Sequence, residues 1–142
     1  MTRLLVVWLH LLAAAVWVGG LLYASHLVVP ALARGERLPV ILLTRARVSA
    51  WVAVGLLVLT GLENLRHTRL DSAWLMSKVL LVLVLVPLAA HRDFALIPRV
   101  VREIERGIPA AVVLGGLRWL DRALILLAAV VLFLGVGLSR GR

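Results

Sequence analysis

The sequence predicts an all-α integral membrane protein, a four-helix bundle with a short amphipathic surface helix before the last span. The 142 residues are 63% hydrophobic and their mean hydropathy is +1.05, whereas soluble domains are about 45–50% apolar. Four apolar stretches are long enough to cross a bilayer core, which takes about 20 helical residues. Because the chain is short, residues 1–142 are expected to form a single four-span domain.

The first predicted span is the longest apolar stretch and carries no formal charge. The third is expected to bend at Pro87 and to emerge from the membrane at His91, Arg92 and Asp93. The fourth is expected to enter the membrane through Trp119, Asp121 and Arg122. The predicted spans cover residues 4–32, 39–65, 73–96 and 120–138.

The segment 98–108 differs from the spans. Val100, Val101 and Ile104 fall on one helical face, with arginines opposite. This pattern is typical of an amphipathic helix on the membrane surface.

The net charge of +9 comes from arginines in short segments beside apolar spans. This placement indicates membrane topology and contact with anionic lipid, and no nucleic-acid partner is expected. Four spans put both termini on the same side of the membrane. Five of the fifteen arginines are expected on that side and ten on the other. The positive-inside rule then predicts a multi-pass protein of the cell inner (plasma) membrane with both termini outside.

The absence of cysteine excludes disulfides, thiolate zinc sites and iron–sulfur clusters. The sequence also contains no Ser/His/Asp pattern, no HExxH motif and no phosphate-cradling loop. Hydrolysis and phosphoryl transfer are therefore not indicated.

The four histidines divide into two groups according to their predicted depth. His10 and His67 lie towards the outer side, near Lys78 and Met76. His26 and His91 lie towards the cytoplasmic side. Because a helix rises 1.5 Å per residue, His10 and His26 are about 24 Å apart along the first span and cannot serve one site.

His10 is the favoured ligand. Trp17, seven residues further on, shares its helical face, and Gly19 and Gly20 allow a flat ring to approach closely. A neutral histidine nitrogen ligates iron in haem b proteins. Alternatively, His10 forms a hydrogen bond to a neighbouring helix.

The sequence leaves several further roles open. The ligand opposite His10 is expected to be His67 or Lys78, with Met76 a weaker candidate, although Lys78 could instead extend to the interface. His26 and His91 form an alternative metal pair. Arg45 and Arg47 could hold haem propionates or act as topological anchors.

Three stretches in order resemble the copper-resistance protein D (CopD) family, over about residues 9–100. The family implies a copper-handling membrane protein, in resistance or transport. The stretches are LHLLAAAVWVGGLL with His10, Trp17, Gly19 and Gly20; RARVSAWVAVGLLVLTGLENL with Arg45, Thr60, Gly61 and Asn64; and WLMSKVLLVLVLVPLAAHRDFALIPRV with Lys78, His91, Arg92, Pro98 and Arg99.

The first helix is also similar to that of the HemJ-type protoporphyrinogen oxidases, with His10 followed by Trp17, Gly20, Leu21 and Tyr23. This resemblance implies that His10 ligates haem b, that Lys78 is functional, and that any enzyme would be an oxidoreductase. The chain departs from that group in having His26 in place of an arginine and in lacking the Asn-Glu-x-Pro motif near the last helix.

The preferred hypothesis is a haem-b-binding membrane protein that transfers electrons or handles haem. Its expected cofactor-binding residues are His10, Trp17, Gly20, Lys78, His67 and Arg45. The first alternative is copper handling, with metal ligands His10 and His67 or, instead, His26 and His91. Cuprous ion prefers sulfur, of which the chain offers only Met1 and Met76.

A second alternative is a protoporphyrinogen oxidase-like enzyme, and a third is an accessory subunit without a cofactor. A homodimer packed through small residues is also considered. Those residues are Gly55, Gly61, Gly135 and Gly137.

Overall fold

The computed structural model describes residues 2–36, 38–66 and 73–140 and is helical throughout its long segments. Four helices are long and apolar enough to cross a membrane, so the predicted all-α four-helix architecture is confirmed. Helix α1 comprises Thr2–Tyr23, a π turn at Ala24–Val28 and Val29–Ala33; α2 is Leu38–Leu65; α3 comprises Ala73–His91, a π turn at Arg92–Leu96 and Ile97–Glu105; and α4 is Ala111–Arg140.

Each π turn ends two residues before a proline, Pro30 in α1 and Pro98 in α3. Proline has no backbone N–H, and its ring clashes with the carbonyl group four residues earlier. The wider π turn accommodates that carbonyl while the helix continues. The π turn also changes which side chains face inward. Arg92 and Asp93, for example, are consecutive in sequence and both are buried.

The boundaries of α3 and α4 differ from the sequence prediction. Arg92 and Asp93 do not end the helix, since α3 continues through its π turn to Glu105. Likewise α4 begins at Ala111 rather than near Leu120. Arg92, Asp93 and Asp121 are buried within these helices, where Arg92 pairs with both carboxylates.

The amphipathic character predicted for the segment after the third span is observed in Ile97–Glu105. Ile97 and Val100 are buried, whereas Arg99 and Arg102 are exposed. The apolar face packs on a cluster that includes Val29 of α1 and other residues of α1 and α4. This segment therefore continues α3 and closes one end of the bundle.

Glycine ends both helices at this end of the bundle. Gly35 and Gly107 have φ angles of +82° and +67°, a conformation that costs glycine little. After each helix, a backbone N–H donates to a carbonyl five residues earlier, from Glu36 to Ala31 at 3.2 Å and from Ile108 to Glu103 at 2.9 Å. Both ends thus have the Schellman pattern.

In the bundle, α1 packs mainly against α2, α3 packs mainly against α4, and α1 also contacts α4. The middle of the core contains Trp17, Leu124 and small residues such as Ala53, Ala89 and Ala128. The outward faces are apolar, with Leu126 and Phe133 more than 60% exposed. An exposed apolar surface of this kind fits contact with lipid.

Candidate functional site

At the end of the bundle where α1 begins, the polar side chains are arranged around His10. Its Nδ1 lies 2.8 Å from Thr60 Oγ1 on α2. The Thr60 hydroxyl donates to the Leu56 carbonyl of its own helix and accepts from His10 Nδ1–H in the tautomer that carries its proton there. The His10 ring also has a hydrogen bond to the Leu57 backbone. In that neutral tautomer, Nε2 carries the lone pair that a metal-ligating histidine requires.

Lys78 lies on α3, and its ammonium group is close enough to act electrostatically on the His10 ring. Two glycines face these side chains. A Cβ atom at Gly61 would lie 3.6 Å from His10 Cε1, and one at Gly135 would lie 3.4 Å from Lys78 Nζ. All four helices therefore contribute to one site, which we call the outer site, formed by His10, Thr60, Gly61, Lys78 and Gly135.

The donor set of the outer site suits haem better than a bare metal ion. A haem takes only one or two axial ligands from the protein, and His10 offers a nitrogen lone pair held by a second residue. By contrast, no group of three His, Cys, Asp or Glu side chains able to hold a metal occurs among residues 2–36, 38–66 and 73–140.

Trp17 and Gly20 do not join His10. Both line a separate cavity of about 90 Å³ together with Arg47 and Arg92, and His10 does not line it. Trp17 shares a helical face with His10, as predicted, but two turns along α1 separate them by about 10 Å. The tryptophan packs instead in the middle of the core, against apolar residues.

Most of the remaining predicted residues point away from the outer site. The side chains of Arg45, Met76 and His91 are exposed, as is His26, whose Nδ1–H donates to the Leu22 carbonyl at 3.0 Å. His67 lies outside the residues that the structure describes. Of the two main candidates for the ligand opposite His10, Lys78 is therefore the one that the described residues place near it.

A second polar group, which we call the inner cluster, consists of Arg92, Asp93, Asp121 and Trp51. Arg92 Nε donates to Asp121 Oδ1 on α4, and Arg92 Nη1 donates to Asp93 Oδ1 at 2.6 Å. Trp51 Nε1 on α2 donates to the second oxygen of Asp93 at 3.0 Å. The cluster thus connects α2, α3 and α4 through charge-assisted hydrogen bonds.

The sequence interpretation missed this cluster because it placed these charges at span ends. One signal was available. An intramembrane carboxylate is expensive unless it is paired, and the chain has aspartates beside apolar runs on two spans, each with an arginine next to it in sequence. A pairing of Arg92 with Asp121 could have been considered on that ground.

The two polar groups are separate sites. Thr60 and Arg47 are 13 residues apart on α2, about 20 Å along the helix axis, and Lys78 and Arg92 are about 21 Å apart on α3. A porphyrin ligated by His10 does not span that distance. Arg45 and Arg47 consequently do not serve as propionate partners for such a haem.

Comparison with known proteins gives no match: no family model, no curated protein and no solved structure is similar to this chain.

The orientation of His10 by Thr60 can be tested with Thr60→Val, which keeps the shape of the side chain and removes its hydroxyl. We expect haem affinity to fall about tenfold or more, because loss of the hydrogen-bond partner of a ligating histidine typically has this effect. Hemin titration followed by absorption would measure the change. Thr44→Val is the matched control, because Thr44 is exposed on the same helix and bonds only to carbonyls of α2.

Proposed function

We propose that this protein is an integral membrane haem b protein, with His10 as an axial ligand and a function in electron transfer or haem handling. The observation that carries the proposal is the hydrogen bond between His10 and Thr60. In the tautomer with the proton on Nδ1, this hydrogen bond orients the ring and leaves Nε2 as a donor atom, which supports the proposal.

The residues of the outer site have distinct roles in this proposal. Thr60 orients the imidazole ring and accepts its Nδ1 proton. Gly61 and Gly135 leave room beside His10 and Lys78, because a larger side chain at either position would meet these groups. When bound, haem b supplies a one-electron iron couple.

Lys78 is the second residue that would hold the haem in this proposal. It is the only lysine in the chain, and it interacts electrostatically with the His10 ring from α3. To ligate iron, its amine must be deprotonated. If it remains protonated, it acts instead as a positive charge beside the outer site. His67 remains the alternative ligand.

We further propose the plasma membrane as the location, with both termini outside. The argument is the distribution of arginine, since ten of the fifteen lie on the side opposite the termini. The outer site would then face the outer leaflet. A homodimer stays a prediction: Gly61, Gly135 and Gly137 face side chains of their own chain, whereas Gly55 is exposed with open space beside it.

Copper handling receives less support. Histidine-based copper sites need several ligands in one place, and within the described ranges the outer site offers one histidine. Met76, the candidate sulfur ligand two residues before Lys78, is 60% exposed on the bundle surface. A protoporphyrinogen oxidase-like enzyme would share the haem, but the chain lacks the Asn-Glu-x-Pro motif of that group.

The test is an absorption spectrum of the detergent-purified protein, oxidised and then reduced with dithionite. We expect a Soret band that shifts and sharpens on reduction, with resolved α and β bands. If the purified protein is colourless, hemin is added at equimolar ratio. Failure to form these bands after hemin addition would overturn the proposal, and stoichiometric copper without porphyrin would replace it with copper handling.

A further inference from the structure

The surface of α4 carries two arginines that have no acidic partner. Arg118 and Arg122 are one turn apart, and both side chains are exposed. In the described part of the chain, Arg118 forms no hydrogen bond or ion pair, and the one interaction of Arg122 is with the Trp119 ring, whose centre lies 5.5 Å from its Cζ. Asp121 is fully buried and bonds to Arg92 inside the bundle. Both exposed guanidinium groups are therefore available to an anion.

These two arginines lie where α4 is expected to leave the hydrocarbon core of the bilayer. Residues 123–139 carry no charge, and these 17 residues span about 26 Å of helix. That length is close to the thickness of a bilayer core, about 30 Å. Arg122 is therefore placed at the boundary of the core, and Arg118 lies about 6 Å further out, at the depth of lipid head groups.

Trp119 adds a third hydrogen-bond donor to this surface. Its side chain is 72% exposed, and its indole N–H donates to no group among the described residues. On a helix of 3.6 residues per turn, Arg118, Arg122 and Trp119 fall within an arc of about 100°. Gly115 falls in the same arc one turn earlier, and a Cβ atom there would meet nothing within 4 Å. The three donors thus border open space.

The apolar side chains that continue this arc along α4 are also exposed. Leu126 and Phe133 lie in the same arc, towards the middle and the far end of the predicted core, and they are 68% and 67% exposed. Polar donors at the core boundary are therefore followed by an apolar strip on one helix face. A ligand that matches both parts has an anionic head and an apolar tail.

The neighbouring charges leave this surface positive. Arg34 at the end of α1 pairs with Glu36, and Arg99 on α3 pairs with Glu103, so each of these surface arginines already has an acidic partner. The inner cluster together with Arg47 sums to zero charge. The two positive charges on α4 are consequently not cancelled by any of these groups.

We propose that Arg118, Trp119 and Arg122 bind the phosphate of an anionic phospholipid. Guanidinium groups form strong, often paired hydrogen bonds to phosphate oxygens, and basic sites beside membrane spans recognise anionic head groups. The Trp119 indole N–H donates to a further head-group oxygen, the open space beside Gly115 admits the head group, and an acyl chain lies along Leu126. The site is on the bundle surface and does not depend on the proposed haem.

The probe for this site is phosphatidylglycerol, titrated into the detergent-purified full-length protein with bound lipid counted by native mass spectrometry. Phosphatidylcholine is the comparison lipid, because it has the same phosphate but no net charge. We expect one phosphatidylglycerol per chain to bind at least about fivefold more tightly than phosphatidylcholine, which is the effect of one arginine near an anionic lipid.

Matched variants identify the residues involved. Arg118→Gln and Arg122→Gln are each expected to weaken phosphatidylglycerol binding about fivefold. Arg45→Gln removes an exposed arginine of α2 and is expected to change binding less than about twofold. Arg122→Lys keeps the charge and should bind more tightly than Arg122→Gln. Because these side chains are exposed, unfolding in sodium dodecyl sulfate should be unchanged, which separates lost binding from misfolding.

Several results would overturn this proposal. Equal affinity for the two lipids would remove the charge selectivity, and an equal loss in Arg45→Gln would leave only a general surface attraction. Phosphatidylglycerol with brominated acyl chains should quench the fluorescence that Trp119→Phe removes, so an absence of quenching would place the lipid elsewhere. Displacement of the lipid by equimolar inorganic phosphate would reassign the site to a soluble anion. His10→Ala should bind the lipid as the unmodified protein does, so failure of the haem proposal would not affect this outcome.

Discussion

Replacing His10 with alanine is expected to remove the haem absorption bands from the purified protein. In the proposed site the imidazole Nε2 ligates the iron, and Lys78 is the other described residue of the outer site with a nitrogen that could do so. We expect hemin affinity to fall by more than about a hundredfold, because an axial bond is lost outright and loss of a supporting residue alone costs about 10–100-fold. Hemin titration by absorption would measure the loss.

Two controls separate ligation from a structural effect. Added imidazole should restore the bands in His10→Ala, because it can occupy the vacated position, whereas a misfolded protein would not respond. Lys78→Met should shift the spectrum if Lys78 is the opposite ligand and leave it unchanged if it is not. A full spectrum in His10→Ala, lost only when His26 or His91 is changed, would move the haem to the other end of the bundle.

Changing Asp121 to asparagine is expected to destabilise the folded bundle by about 3 kcal/mol. The Asp121 side chain is fully buried and paired with Arg92, and removal of one partner of a buried ion pair typically costs about 3–5 kcal/mol. Arg92 keeps its second carboxylate partner, Asp93, at 2.6 Å. Asparagine keeps one oxygen as an acceptor, so the lower end of that range applies. Unfolding by sodium dodecyl sulfate, followed by circular dichroism, would measure the change.

A double-mutant cycle gives the sharper measurement for this pair. Arg92→Gln combined with Asp121→Asn should cost less than the sum of the single changes, since the two side chains interact directly. Arg122→Gln is the control, because Arg122 is the next residue on α4 but is exposed and lies over the Trp119 ring. Additive effects of Arg92→Gln and Asp121→Asn would contradict a coupled pair.

The helices themselves could be predicted from local sequence because the bilayer imposes a simple requirement. A backbone in lipid must satisfy its own hydrogen bonds, so an apolar run of sufficient length becomes a helix. The number of spans and their approximate positions follow from this rule. The lengths of the helices α3 and α4 do not follow from this rule. Polar residues such as Arg92 and Asp121 suggest a membrane interface in the sequence, although the helices continue past them.

The outer site was predictable only in part. An imidazole within a long apolar helix indicates function by itself, and His10 and Lys78 were named on that ground and on a family resemblance. Thr60 was noted only within a motif, because its role depends on a contact between residues 50 positions apart in sequence. Trp17 and Gly20 were assigned to the same site, although helical periodicity fixes a face and not a depth.

Hydrophobic length and composition are local properties, so the amino-acid sequence was sufficient to establish a four-span helical membrane protein with His10 in its first helix. Tertiary packing decides which polar side chains contact one another. Whether Arg92 reaches Asp121 or solvent depends on two π turns and on the rotation of each helix in the bundle. Burial in a low-dielectric interior makes an unpaired charge costly, so this packing joins the charges of distant segments into the inner cluster.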